Sequence, residues 1–162
     1  MHVEAEITVA RPRAEVFDHI ARAEWLPQYV TEFEWVRKVS EGPASHGTEY
    51  AYRLSRGGIE GRFEWTEFER PSRLAWRGPP AKAGPGSMAP AGRWELLDVG
   101  HSTYVKLVMT PEPGGLLRLT APLMSRGMRK GNRRALRRLK QRLEGSAPLS
   151  TTAGHSGARR AG

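Results

Sequence analysis

Glu67 and Arg37 are the two charged residues whose spacing could set them beside apolar neighbours and let them do chemistry. Glu67 follows Phe63 and Trp65 at intervals of four and two. In an alternating strand these three share a face. A carboxylate held against an apolar surface has a raised pKa and can serve as a general acid or base. Arg37 stands in the same relation to Phe33 and Trp35 and could pair with Glu67. The competing reading is a salt bridge at the rim of a sheet. Other reactive groups are scattered. His19, His46 and His101 have no metal-ligand spacing, so they read as structural or surface residues, and no metal is expected. Serine and aspartate form no G-x-S-x-G elbow. Gly57-Gly58 and Gly114-Gly115 make no phosphate loop. No cysteine is present, which excludes disulfides and thiolate sites. No cofactor is expected.

Positive charge is the second chemical feature, and it is local. Residues 116–145 hold ten of the 26 basic side chains and one of the 17 acidic ones, so the net +9 of the chain lies in this segment and the remaining sixteen of each sign cancel. Arg126, Arg129, Lys130, Arg133, Arg134, Arg137, Arg138 and Lys140 form a wide cationic face. Such a face could hold the protein on an anionic lipid surface, at roughly 1 kcal/mol per residue. It could also meet nucleic-acid phosphates. Aromatics for base stacking are missing from it, which makes nucleic acid the weaker partner. The plain alternative is a solvated helix face.

The elements that must position these groups follow from periodicity. Residues 116–145 form the one long helical pattern. Leu117, Ala121, Met124, Met128, Ala135, Leu139 and Leu143 fall on a stripe with spacings of three, four and seven. Leu116, Leu119 and Leu123 lie off that line, so the first half is apolar on more than one side and is expected to close over a sheet. Pro122 either opens the main helix or kinks a longer one. Gly127 and Gly131 either allow close packing or leave room for a ligand. Upstream, residues 2–10 alternate as a half-buried strand, and Pro12 opens a short helix with Val16, Phe17, Ile20 and Ala21 inward. A second short helix is expected around Pro27. Strand-like runs follow at 33–41, 48–55, 59–69, 73–78, 92–98 and 102–110, separated by glycine and proline turns. Short successive connections imply an antiparallel meander. With the first strand it has seven members, curved around the long helix in an α+β domain. Residues 78–92, rich in Gly, Pro, Ala and Ser, read as a mobile rim loop.

Strand parity places Tyr50, Tyr52, Phe63, Trp65, Trp76, Trp94, Leu107 and Met109 on the dry face. Trp25 and Tyr29 from the short helices, with Met124 and Met128 from the long one, complete a candidate ligand-binding set. These residues either fill a core or line an apolar cavity. The length suggests one domain, residues 1–145, followed by a tail at 146–162 with almost nothing to bury, expected to be disordered. No signal-peptide pattern or membrane-spanning run is evident, so a cytoplasmic protein is expected.

Three stretches carry a family resemblance. PRAEVFDHIARAEWLPQY at 12–29, FEWTEFERPSRLAW at 63–76 and GNRRALRRLKQRLE at 131–144 occur in the order of the START-like superfamily. Together they resemble its polyketide cyclase/dehydrase branch over about residues 2–145. The resemblance implies a helix-grip fold, with a cavity between sheet and long helix for apolar or aromatic small molecules. It implies no single reaction, since members range from aromatase/cyclases to carriers without chemistry. The arginine-dense final helix and the long 78–92 segment depart from the pattern. The function expected is binding, alone or in the service of transport, of a small hydrophobic, lipid-like or polyketide-like ligand in that cavity. The alternatives are a cyclase or dehydrase acting on such a ligand, and a peripheral membrane or nucleic-acid binding module. The oligomeric state is not legible.

Overall fold

A computed structural model describes residues 1–145. The expected tail at 146–162 lies outside the described residues. The chain forms β1 (Val3–Val9), α1 (Arg13–Ala21), a 3-10 helix (Ala23–Gln28), β2 (Phe33–Lys38), β3 (Glu49–Leu54), β4 (Glu60–Glu69), β5 (Arg73–Arg77), β6 (Ala81–Ala83), β7 (Gly86–Ala89), β8 (Ala91–Val99), β9 (Ser102–Met109), β10 (Glu112–Gly115), a second 3-10 helix (Leu116–Thr120) and α2 (Ala121–Gly145). Seven strands make one antiparallel sheet in the order β1-β9-β8-β5-β4-β3-β2. Its two edges come from the start of the chain, and α1 with the first 3-10 helix lies between them in sequence. This is the α+β helix-grip architecture expected from the pattern of runs. No helix among the described residues is long and apolar enough to cross a membrane.

Register explains the dry face. Trp65 opposes Trp76, Trp76 opposes Gly92, and Gly92 opposes Met109. One layer along, Leu74, Trp94, Leu107 and Ala5 oppose each other in turn. Opposed residues share a face, so these rows stack apolar side chains on the concave side. Glycine makes room for the largest of them. A Cβ at Gly92 would collide with the Trp76 indole, and one at Gly61 with the Tyr52 ring. The convex side is wet and carries ion pairs such as Lys106–Glu4 at 3.3 Å and Arg53–Glu60 at 2.9 Å. Exposed pairs of this kind contribute about 0–1 kcal/mol each.

Two bulges break the parity that the sequence implies. In β4 the pairing shifts between Trp65 and Glu67, and in β2 between Phe33 and Trp35. A bulge inserts one unpaired residue and turns everything beyond it to the opposite face. Phe68, not Glu67, therefore points inward and meets Phe17 edge to face at 5.3 Å. Val36, not Trp35 or Arg37, enters the core.

The segment 78–92 is not a loop. It holds β6 and β7, which pair with each other, and β7 pairs in turn with β10 in a separate three-stranded sheet. Gly84 turns between β6 and β7 with φ of 56°. Gly86 brings β7 close to β10, because a Cβ there would collide with the Gly114 carbonyl. Strands of three or four residues built from Ala, Gly and Pro carry little propensity, and their partner lies beyond the next two strands.

The long helix begins later than its pattern. Leu116–Thr120 is 3-10, and α2 starts at Ala121 with Pro122 in its first turn, where a missing N–H costs nothing. Burial is confined to its second half: Asn132, Ala135, Leu136, Leu139 and Leu143. Met124, Met128, Leu117 and Ala121 of the expected stripe are only half-buried. Leu116, Leu119 and Leu123 are exposed. The C-terminal half packs along β1 and is tied down polar group by polar group. Arg11 Nε donates to the Leu143 carbonyl at 2.8 Å, Lys140 Nζ to the Thr8 carbonyl at 2.7 Å, and the Ala10 N–H to Glu144 Oε1 at 2.8 Å.

Candidate functional site

Twelve residues form the candidate ligand-binding set, and the fold separates them into three groups. Tyr29, Tyr50, Tyr52, Phe63, Trp65, Trp94 and Leu107 lie in one buried cluster. Trp76 and Met109 are partly buried against it. Trp25, Met124 and Met128 are half-buried and outside it. Trp25 is held instead by His19, with ring centroids 4.9 Å apart, and by the Arg22 guanidinium 4.7 Å from its centroid. The aromatic cluster is in mutual contact. Tyr50 stacks on Phe63 at 5.2 Å and meets Trp65 edge to face at 5.9 Å, and Phe63 meets Trp65 at 5.8 Å. Geometries of this kind add about 0.5–1.5 kcal/mol per pair beyond area burial.

Within this interior several polar atoms lack partners. The Tyr50 and Tyr29 hydroxyls, Trp65 Nε1 and Asn132 Nδ2 are buried with no hydrogen-bond partner among the described residues. Their residues are 0, 1, 2 and 8 % exposed, respectively. A buried donor left unpaired costs about 1–3 kcal/mol, so these partnerless groups are a chemical feature of the buried interior. Burial pushes the Tyr50 hydroxyl's pKa up, opposed by the Trp65 indole N–H beside it, although the two do not meet with hydrogen-bond geometry. Burial also raises Tyr29 well above the ordinary phenol range. Both stay protonated and can donate. Asn132 is the residue that periodicity did not single out. It sits three and four positions before Ala135 and Leu136, on the buried line of α2, and that spacing was the available signal.

His19 is a structural histidine. Burial, then Arg142, then Arg22 lower its pKa to about 4. Its ring lies between Trp25 and Tyr29.

The acid–base candidates stand elsewhere. Beyond its bulge, Glu67 opposes Ala75 on the convex face and pairs with Arg73 at 3.4 Å. Of the two readings open for Glu67, inward acid or rim salt bridge, the structure shows the salt bridge. Arg37 is exposed, and its guanidinium stacks over the Trp35 ring at 4.5 Å, so it does not meet Glu67. A shallow cleft of about 230 Å³ is lined by Glu67 with Thr66, Ala75, Arg77 and Arg93, among others. No group of three or more His, Asp and Glu suited to a metal occurs among the described residues.

Of the basic face, Arg126, Arg129, Lys130, Arg133, Arg134 and Arg137 are exposed and Arg138 is half-buried. Five of them, Arg126, Arg129, Lys130, Arg133 and Arg137, surround a cleft of about 380 Å³. Lys140 belongs to a different task, since it is spent on Thr8 and Glu144.

Comparison with known proteins settles the family. A family model described as polyketide cyclase/dehydrase and lipid transport matches residues 1–144. The chain belongs to this family. Solved structures share the fold at low identity. The protein TTHA0849 of Thermus thermophilus is 21 % identical, with a TM-score of 0.75 over 91 % of this chain and 100 % of that one. A START superfamily protein from Mycobacterium smegmatis is 13 % identical, with a TM-score of 0.71 over 90 % and 99 %. The Zhui aromatase/cyclase from Streptomyces sp. R1128 is 15 % identical, with a TM-score of 0.64 over 91 % and 99 %. Among curated proteins no sequence matches the chain.

Proposed function

We propose that this protein binds a small, largely apolar molecule that carries at least one oxygen acceptor. The ligand lies between the concave face and α2. The observation that carries the reading is the set of partnerless buried donors, Tyr50 Oη and Trp65 Nε1 within the aromatic cluster and Asn132 Nδ2 on the buried line of α2. Aromatic walls supply affinity without direction, and a few placed donors supply orientation. A ketone, phenol or carboxyl oxygen on a lipid-like or polyketide-like skeleton would satisfy them. Entry is under the first half of α2, where no residue before Asn132 is buried, so Met124 and Met128 can give way. The family, described by cyclase or dehydrase chemistry and lipid transport, supports this ligand class. The candidates for acid–base work, Glu67 and Arg37, take no part in the reading.

Native mass spectrometry of the purified protein, followed by titration with fatty acids and polycyclic aromatic ketones, tests it. A co-purified or added ligand should appear as a mass shift and should change tryptophan fluorescence. An analogue lacking the oxygen should bind about tenfold more weakly, the worth of one net hydrogen bond. Absence of any adduct with both series, with fluorescence unchanged, would overturn the reading.

A further inference from the structure

The three leucines that lie off the helix stripe, in the half expected to close the interior, face solvent. Leu116 is 61 % exposed, Leu119 81 % and Leu123 72 %. Spaced by three and four, they share one side of the second 3-10 helix and the start of α2. At 100° per residue Lys130, Arg134 and Arg137 continue the same side, opposite the buried line of Asn132, Ala135, Leu136, Leu139 and Leu143. One outward face is therefore apolar at its tip and cationic along its length. The tip is not a frayed end. Leu117 packs on β7, where a Cβ at Gly86 would lie 3.0 Å from its Cγ. Arg118 Nε donates to the Pro113 carbonyl at 3.2 Å. The small sheet of β6, β7 and β10 thus holds the leucines outward.

Charge identifies the occupant. Arg126, Arg129, Lys130, Arg133, Arg134 and Arg137 form no ion pair among the described residues. On the rest of the chain basic and acidic residues cancel, so this face carries the net field. An apolar partner protein would match the leucines and waste the arginines. Nucleic acid would match the arginines and leave the leucines in water. A bilayer with anionic headgroups matches both, because phosphates lie at the level of the arginines while the leucines reach the acyl boundary. We infer that this protein docks on anionic membranes through Leu116, Leu119 and Leu123, with the cationic face of α2 on the headgroups. The inference stands whether or not the interior holds a ligand.

Flotation of the full chain with vesicles tests it. The protein should float with phosphatidylcholine–phosphatidylglycerol vesicles and stay behind with phosphatidylcholine alone. Neutralising three basic residues, Arg129→Gln, Arg133→Gln and Arg137→Gln, should weaken binding about a hundredfold, at roughly fivefold per charge near an anionic surface. Leu116→Ser, Leu119→Ser and Leu123→Ser together should weaken it at least about tenfold, judged from the apolar area withdrawn. Circular dichroism should report an unchanged fold, and the single Leu119→Ser variant serves if the triple one does not fold. The inference is overturned if the wild-type chain does not float, if the leucine variants bind as tightly as wild type, or if duplex DNA strips the protein from the vesicles.

Discussion

Tyr50 on β3 and Trp65 on the neighbouring β4 meet edge to face 5.9 Å apart on the concave face, and each keeps a buried polar hydrogen without a partner. An apolar core of the same shape would omit both hydrogens. Phenylalanine at position 50 preserves the ring and removes the unpaired hydroxyl. Tyr50→Phe should therefore stabilise the ligand-free protein by about 1 kcal/mol, raising Tm by about 2–4 °C, while weakening ligand binding. Thermal unfolding and ligand titration of the same variant check the two signs. A fall in Tm would mean that the hydroxyl is satisfied and would remove the basis of the binding reading.

The grip of α2 resides in its second half. Leu139 is fully buried, whereas Leu123 is 72 % exposed. Leu139→Ala should cost about 2–5 kcal/mol, and Leu123→Ala should stay within about 0.5 kcal/mol of wild type. Urea unfolding of both variants measures the contrast. Equal effects would mean that the first half of the helix is packed as firmly as the second.

Glu67 is a convex-face partner of Arg73 and does not face the aromatic interior. Glu67→Gln should shift stability by no more than about 0.2–1 kcal/mol, the range of exposed pairs. It should leave ligand affinity unchanged. A large loss of affinity by isothermal titration would place the carboxylate at the site after all.

His19 links stability to pH. Its folded pKa of about 4 lies below the ordinary 6.5, with burial as the first cause and Arg142 and Arg22 as further ones. The unfolded chain binds the proton more readily, so the contribution of neutral His19 is fully present above pH 6.5 and is lost as the pH falls toward 4. His19→Gln should flatten that part of the stability curve. Denaturant midpoints across this window decide it, and identical slopes for variant and wild type would refute the assignment.

Residue order alone determined the seven-stranded meander, the two short helices, the long basic helix and the aromatic content of the dry face. These depend on local periodicity and turn chemistry, which a chain carries in its own spacing. Asn132 sits on a readable line, but an amide does not mark a hydrophobic stripe. Tertiary structure alone decided where Glu67 and Arg37 point, because one bulged residue in β4 and one in β2 reverse all parity beyond them. It also turned 78–92 into strands: β6 and β7 pair with each other across Gly84, and β7 is completed on its other side by β10, which returns from beyond β9. Last, it left Leu116, Leu119 and Leu123 in solvent. Their apolarity is written in the sequence, but whether an apolar side chain is core or surface depends on what the fold packs against it.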